Sequence, residues 1–142
     1  MKAVQFTEHG DRDVLEYGDF PDPEVGPDEV LVDVKAASLN HLDIWTRRGL
    51  PGVELEMPHI PGSDMAGVVT EVGERVSRFE VGDRVALIAG VAGGGDEFSR
   101  KGDPTLAPDF HIIGEHVRGV HSEYAAVPAE NLTPVPEGVD WE

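Results

Sequence analysis

The apolar residues of this chain come in short alternating runs, and glycine or proline stands between nearly all of them. Seventeen glycines and eleven prolines are spread over 142 residues. Each proline lacks the backbone donor that a helix interior or a central strand needs, so long regular elements are excluded and short strands joined by turns remain. The clearest is EVLVDVKAAS from Glu29. Val30, Val32 and Val34 face one way there and Leu31, Asp33 and Lys35 the other, the pattern of a half-buried strand. Lys2 to Phe6, Val14 to Phe20, Met65 to Gly73 and Arg84 to Ala89 read as further strands, with Gly82-Asp83 as a turn. HSEYAAVP from His121 and NLTPVP from Asn131 return to strand character near the end. One segment, NHLDIWTRRG, differs: Asn40 can cap a helix, Leu42 and Trp45 lie three apart, and Gly49 can end it. The expectation is one mainly β, barrel-like domain with minor helix.

Residues 90–114, GVAGGGDEFSRKGDPTLAPDFHIIG, break the pattern with six glycines and two prolines and no periodicity. Excursions longer than about 15 residues inside a compact domain tend to be functional, metal-organised or mobile. Gly90, Gly93, Gly94 and Gly95 make the nearest approach to a phosphate-cradling loop, but DEFSRKGDP after them does not read as a helix opening. No residue is assigned to cofactor binding.

Charge narrows the functions. Twenty-eight acidic against 11 basic residues leave a net charge of −17, which makes nucleic acid and anionic membranes poor partners. Apolar residues at 39% nevertheless suffice for a core. No apolar run approaches the roughly 18 residues of a membrane span, and the opening MKAVQFTEHGD lacks a secretory signal, so the expected compartment is the cytoplasm. Cysteine is absent, which excludes disulfides, thiolate nucleophiles and sulfur-ligated metal. Only three basic residues are lysines, and with the acidic excess this predicts adaptation to a salty cytoplasm, as in a halophile.

The segment LNHLDIWTRRG, then PHIPGSDMAGVVTEVG and VGDRVALIAG, resembles the amino-terminal domain of the medium-chain dehydrogenases/reductases. These are the zinc-type alcohol dehydrogenases and the zinc-free quinone oxidoreductases, and the likeness runs from MKAVQFTEHG to EYAAVPAENLTPVPEG. It implies a GroES-like, partly open β-barrel over residues 1–142, followed in the family by a Rossmann domain that binds NADPH or NADH. No such domain lies within these residues, and the expectation is therefore a fragment or truncated gene product whose 142 residues alone turn over nothing measurable.

The resemblance also places the family's zinc ligands. The catalytic cysteine position falls on Asn40, and the GHExxG motif on Gly62, Ser63, Asp64, Met65, Ala66 and Gly67. Of the positions matching ligands, only Asp64 is a good donor, so catalytic zinc is not expected. The loop 90–114 resembles the structural-zinc lobe, whose four cysteine positions fall on Gly93, Asp96, Ser99 and Ala107. No zinc is expected there either, with Asp96, Glu97, Asp103 and His111 the conceivable substitutes.

The pattern of Asn40, Asp43, Arg47 and Gly49 looks more like the quinone oxidoreductase branch, and the hydroxyl that relays a proton in alcohol dehydrogenases falls on Leu42. The resemblance thus implies a zinc-independent quinone or enone reductase acting on a small carbonyl substrate. Asn40 and Ser63 are assigned as neutral donors to the substrate oxygen, with Asp64 orienting Asn40. Asp43 and Trp45 are expected at the substrate pocket, or, on a plainer reading, in an Asp43–Arg47 ion pair and in the core. Competing readings are a zinc-type dehydrogenase with oxygen ligands and a free-standing barrel that binds a partner or assembles as a homo-oligomer.

Overall fold

The structure, a computed structural model, describes residues 1–141. Among the described residues nine strands form three antiparallel sheets. β1 (Lys2–Gln5) pairs with β2 (Glu16–Asp19). The main sheet has the order β8-β3-β4-β5-β9, from β3 (Glu29–Ser38), β4 (Asp64–Val72), β5 (Arg84–Leu87), β8 (Tyr124–Pro128) and β9 (Leu132–Pro134). β6 (Gly90–Val91) and β7 (His111–Ile112) make a small third sheet. The sheets do not close on one another, which is the partly open barrel expected.

Alternation in β3 works as read at its start and drifts at its end. Val30 and Val32 are fully buried and join Val69, Val85, Val127 and Leu132 in the core, while Val34 is only half-buried. The pairing of β3 with β4 is irregular between Leu31 and Val32 and again between Val34 and Ala36, and such irregularities turn side chains off a strict two-residue period. Gly67 sits where the strands come closest: a Cβ there would collide with the Asp33 carbonyl and Val32.

Three expectations need correction. The second strand begins at Glu16, because Arg12–Val14 form a 3-10 turn in which the Val14 amide donates to the Asp11 carbonyl (3.2 Å). The segment 90–114 is not featureless: β6 and β7 close its base, and Asp96 opens a helix, α2 (Glu97–Lys101). DEFSRKGDP is therefore a helix opening after all, with a capping aspartate ahead of it, although the helix runs for only five residues.

Candidate active site

The helix predicted around Trp45 is α1 (His41–Arg48), with Asn40 extended at its N-cap and Gly49 ending it at φ 95°. The Asn40 carbonyl accepts from the Asp43 amide (3.1 Å), and the Asp43 Oδ2 accepts from the Asn40 amide in return (2.7 Å). Two orphan amides of the helix start are thus satisfied within four residues. Asp43 Oδ1 reaches further and accepts from the Gly62 amide (3.1 Å). One carboxylate therefore joins the start of α1 to the Pro61-Gly62-Ser63 turn. Gly62 has φ 103°, and a Cβ on it would strike the His121 ring, so both the turn and its neighbour require glycine.

Strand register does the rest. Ser38 lies opposite Asp64 at the end of the β3–β4 ladder, and the chain leaves Ser38 two residues before Asn40. Asp64 Oδ2 consequently accepts from both the Ser38 hydroxyl (2.9 Å) and the Asn40 Nδ2 (2.7 Å). This contact sets the Asp64 carboxylate against the Asn40 side chain. It fixes which end of the Asn40 amide is the nitrogen, and the second Nδ2 hydrogen has no partner among the described residues.

Asn40 and Asp43 line a cavity of about 790 Å³ whose walls are mostly apolar, with Val4, Leu39, Ile44 and Pro61 among them. That volume is in the range of small-molecule pockets. Its far wall comes from Lys2 and Tyr17 of the β1–β2 hairpin and from His121. Sequence reasoning missed these three, and only the fold brings positions 2, 17, 40 and 121 together. His41 also lines the cavity and lies beside Trp45, with 5.9 Å between ring centres.

Three assigned residues are not in the cavity lining: Asp64, which reaches it only through Asn40, and Ser63 and Trp45. Ser63 is 5% exposed, its Oγ is buried without a hydrogen-bond partner, and it is not in the cavity lining. Inward rotation of the turn after Gly62 puts the hydroxyl near Gly114, where an added Cβ would stand 2.9 Å from it. Trp45 is 54% exposed and outside the cavity, so it is neither pocket wall nor core. The buried face of α1 is instead that of Thr46, one residue further on. The Asp43–Arg47 pair is not formed, because Asp43 is engaged by the two amides and Arg47 Nε donates to the Gly10 carbonyl (3.2 Å).

The donor set bears on a catalytic metal. Around Asn40 the adjacent carboxylates are Asp43, which accepts from two backbone amides, and Asp64, whose Oδ2 takes two side-chain donors. Among the described residues no three His, Asp or Glu side chains are placed to hold a metal ion. The five histidines other than His41 all contact the backbone: His9 Nδ1 lies 3.1 Å from the Arg47 carbonyl, His59 Nε2 3.2 Å from the Gly114 carbonyl, His121 Nε2 3.2 Å from the Ser38 carbonyl and His111 Nδ1 3.0 Å from the Asp109 carbonyl, while His116 Nδ1 accepts from the Ile112 amide (3.2 Å).

The alcohol dehydrogenase GroES-like domain family is matched over residues 26–137. An alcohol dehydrogenase of Schizosaccharomyces pombe is 33% identical over 99% of this chain and 40% of its own length. A quinone oxidoreductase of Pseudomonas aeruginosa is 36% identical over 99% of this chain and 35% of its own. The crystal structure of an NAD-dependent alcohol dehydrogenase superposes with a TM-score of 0.95 at 43% identity, covering 100% of this chain and 41% of that one. The chain thus spans between a third and two fifths of these relatives. No helix among the described residues is long and apolar enough to cross a membrane. On the matched residues, the open barrel and the identities to these relatives, the chain belongs to the alcohol dehydrogenase GroES-like domain family, the amino-terminal part of medium-chain dehydrogenases/reductases.

Proposed function

We propose that this domain is the substrate-holding half of a cytoplasmic, nicotinamide-dependent reductase that polarises a quinone or enone carbonyl without zinc. The single observation that carries the reading is the Asn40 amide, which is clamped by Asp64, lines the apolar cavity and retains one uncommitted N–H. A nicotinamide cofactor, bound chiefly by a Rossmann domain, would supply the hydride. As hydride reaches the conjugated carbon, negative charge develops on the carbonyl oxygen, and the Asn40 Nδ2 hydrogen is placed to donate to it. Asp64 repels that charge, so its contribution is to hold the amide in one rotamer. Val4, Leu39 and Ile44 receive the apolar ring and exclude water. Ser63, buried and off the cavity, has no part in this scheme.

The zinc-free branch is supported by the donor chemistry: an amide at position 40, a buried hydroxyl at 63 and one occupied carboxylate at 64 make a poor zinc site. Titration of the domain with a non-reducible quinone analogue, followed through the side-chain amide resonances, tests the reading. Binding should shift the Asn40 Nδ2 resonances, and Asn40→Ala should weaken it about fivefold, the loss of one neutral hydrogen bond worth about 1 kcal/mol. Unshifted Asn40 resonances, or an Asn40→Ala domain that binds as tightly, would reject it.

A further inference from the structure

The excursion between β6 and β7 matches a lobe that four cysteines and a zinc hold together in other members of the family, yet its residues here already satisfy one another. Asp96 Oδ1 accepts from the Phe98 amide (2.7 Å) and the Ser99 amide (3.1 Å), and its Oδ2 accepts from the Ser99 hydroxyl (2.5 Å). Asp109 Oδ2 accepts from the Gly93 amide (2.9 Å), which ties the two arms of the excursion across 16 residues. Three of the four positions that match cysteines, Gly93, Asp96 and Ser99, are thus members of these hydrogen bonds. The fourth, Ala107, is 7% exposed and buries a methyl group where a thiolate would stand. Gly102, at φ 88°, ends α2 in the left-handed conformation. Val91 and Ile113 carry the base of the lobe into the main core.

We propose that this lobe is a metal-independent element in which two carboxylate clasps, Asp96 within α2 and Asp109 across its arms, have taken over the task of the zinc. A cation entering here would have to strip Asp96 from three donors and Asp109 from the Gly93 amide, and it would find no thiolate or convergent imidazole in return. The closure is local: each clasp spans a few residues or one hairpin, so the lobe folds with the chain and not with a metal supply.

Amide hydrogen exchange on the whole chain, with and without equimolar zinc and with and without chelator, tests this, with the amides of β3 and β4 as the internal reference. Protection of Phe98 and Ser99 should be the same in every condition. Asp96→Ala should raise their exchange about tenfold, while Asp96→Ser, which keeps a capping oxygen, should recover most of the protection. Asp109→Ala should speed exchange at Gly93 and leave Ser99 as it was. Protection that depends on zinc, or an Asp96→Ala lobe that exchanges like the parent, would overturn the proposal, and an unaffected Gly93 would remove the second clasp from it.

Discussion

At the scale of single residues, His59 is the titratable group most committed to the fold. It is 1% exposed, stacks in a tilted arrangement 5.3 Å from the Phe6 ring, and its Nε2 donates to the Gly114 carbonyl at 3.2 Å. Its backbone pairs with Phe6 in both directions, so it fastens the first strand to the segment before the glycine turn. Burial holds its pKa below the usual 6.5, and the nearby charges of Arg118 and His9 act in the same direction against the opposing hydrogen bond to Gly114. The unfolded chain therefore binds the extra proton at a higher pH than the folded one does. Stability from this residue is complete above pH 6.5 and falls as the pH drops through 6.5 toward the lower folded value, with a slope of at most about 1.4 kcal/mol per pH unit. Urea unfolding at pH 7.5, 6.5 and 5.5 measures that slope, and His59→Gln should flatten it across this window. The orphan hydroxyls of Ser63 and Thr46 are the other buried polar groups that stand apart, since neither finds a partner.

At the scale of elements, the start of α1 and the Pro61-Gly62-Ser63 turn behave as one unit because Asp43 holds both. Removing its carboxylate leaves the Asn40 and Gly62 amides without acceptors. Asp43→Ala should therefore lower unfolding free energy by about 2 kcal/mol, read from denaturant midpoints, whereas a change at exposed Trp45 should cost far less. The capping residues made α1 legible in advance: an asparagine N-cap, apolar residues three apart and a closing glycine are local signals. The cross-strand contact of Asp64 with Ser38 and Asn40 was only partly legible, since it depends on the register of β3 against β4, which pairs residues 26 apart. Lys2, Tyr17 and His121 carried no signal, because their meeting depends on how distant segments pack in the folded chain. Trp45 and Ser63 went astray for a common reason. Sequence spacing gives the period of an element, not its rotation, and here α1 buries Thr46 while the glycine turn points Ser63 inward.

For the molecule as a whole, the charge of −17 is the dominant surface property. The ion pairs present, such as Lys2 with Asp19 (2.6 Å) and Arg118 with Glu56 (2.8 Å), are exposed and engage a minority of the acidic side chains. Repulsion among the rest is screened once the Debye length falls to roughly 3 Å in molar salt. If the domain is salt-adapted, thermal melts in dilute buffer and in molar KCl should differ by several degrees in favour of KCl, and equal melting temperatures would refute that adaptation. The shape leads to the same place as the site: an open barrel carries one apolar cavity against the N-terminus of α1, with a neutral amide on its wall. The most direct measurement of the account is therefore a crystal structure of the domain grown with both zinc and a non-reducible quinone analogue. In that crystal the analogue's carbonyl oxygen should lie about 2.9 Å from Asn40 Nδ2, with Asp64 still bonded to that amide. A metal ion between Asn40 and Asp64, or an analogue whose oxygens all lie away from Asn40, would contradict it.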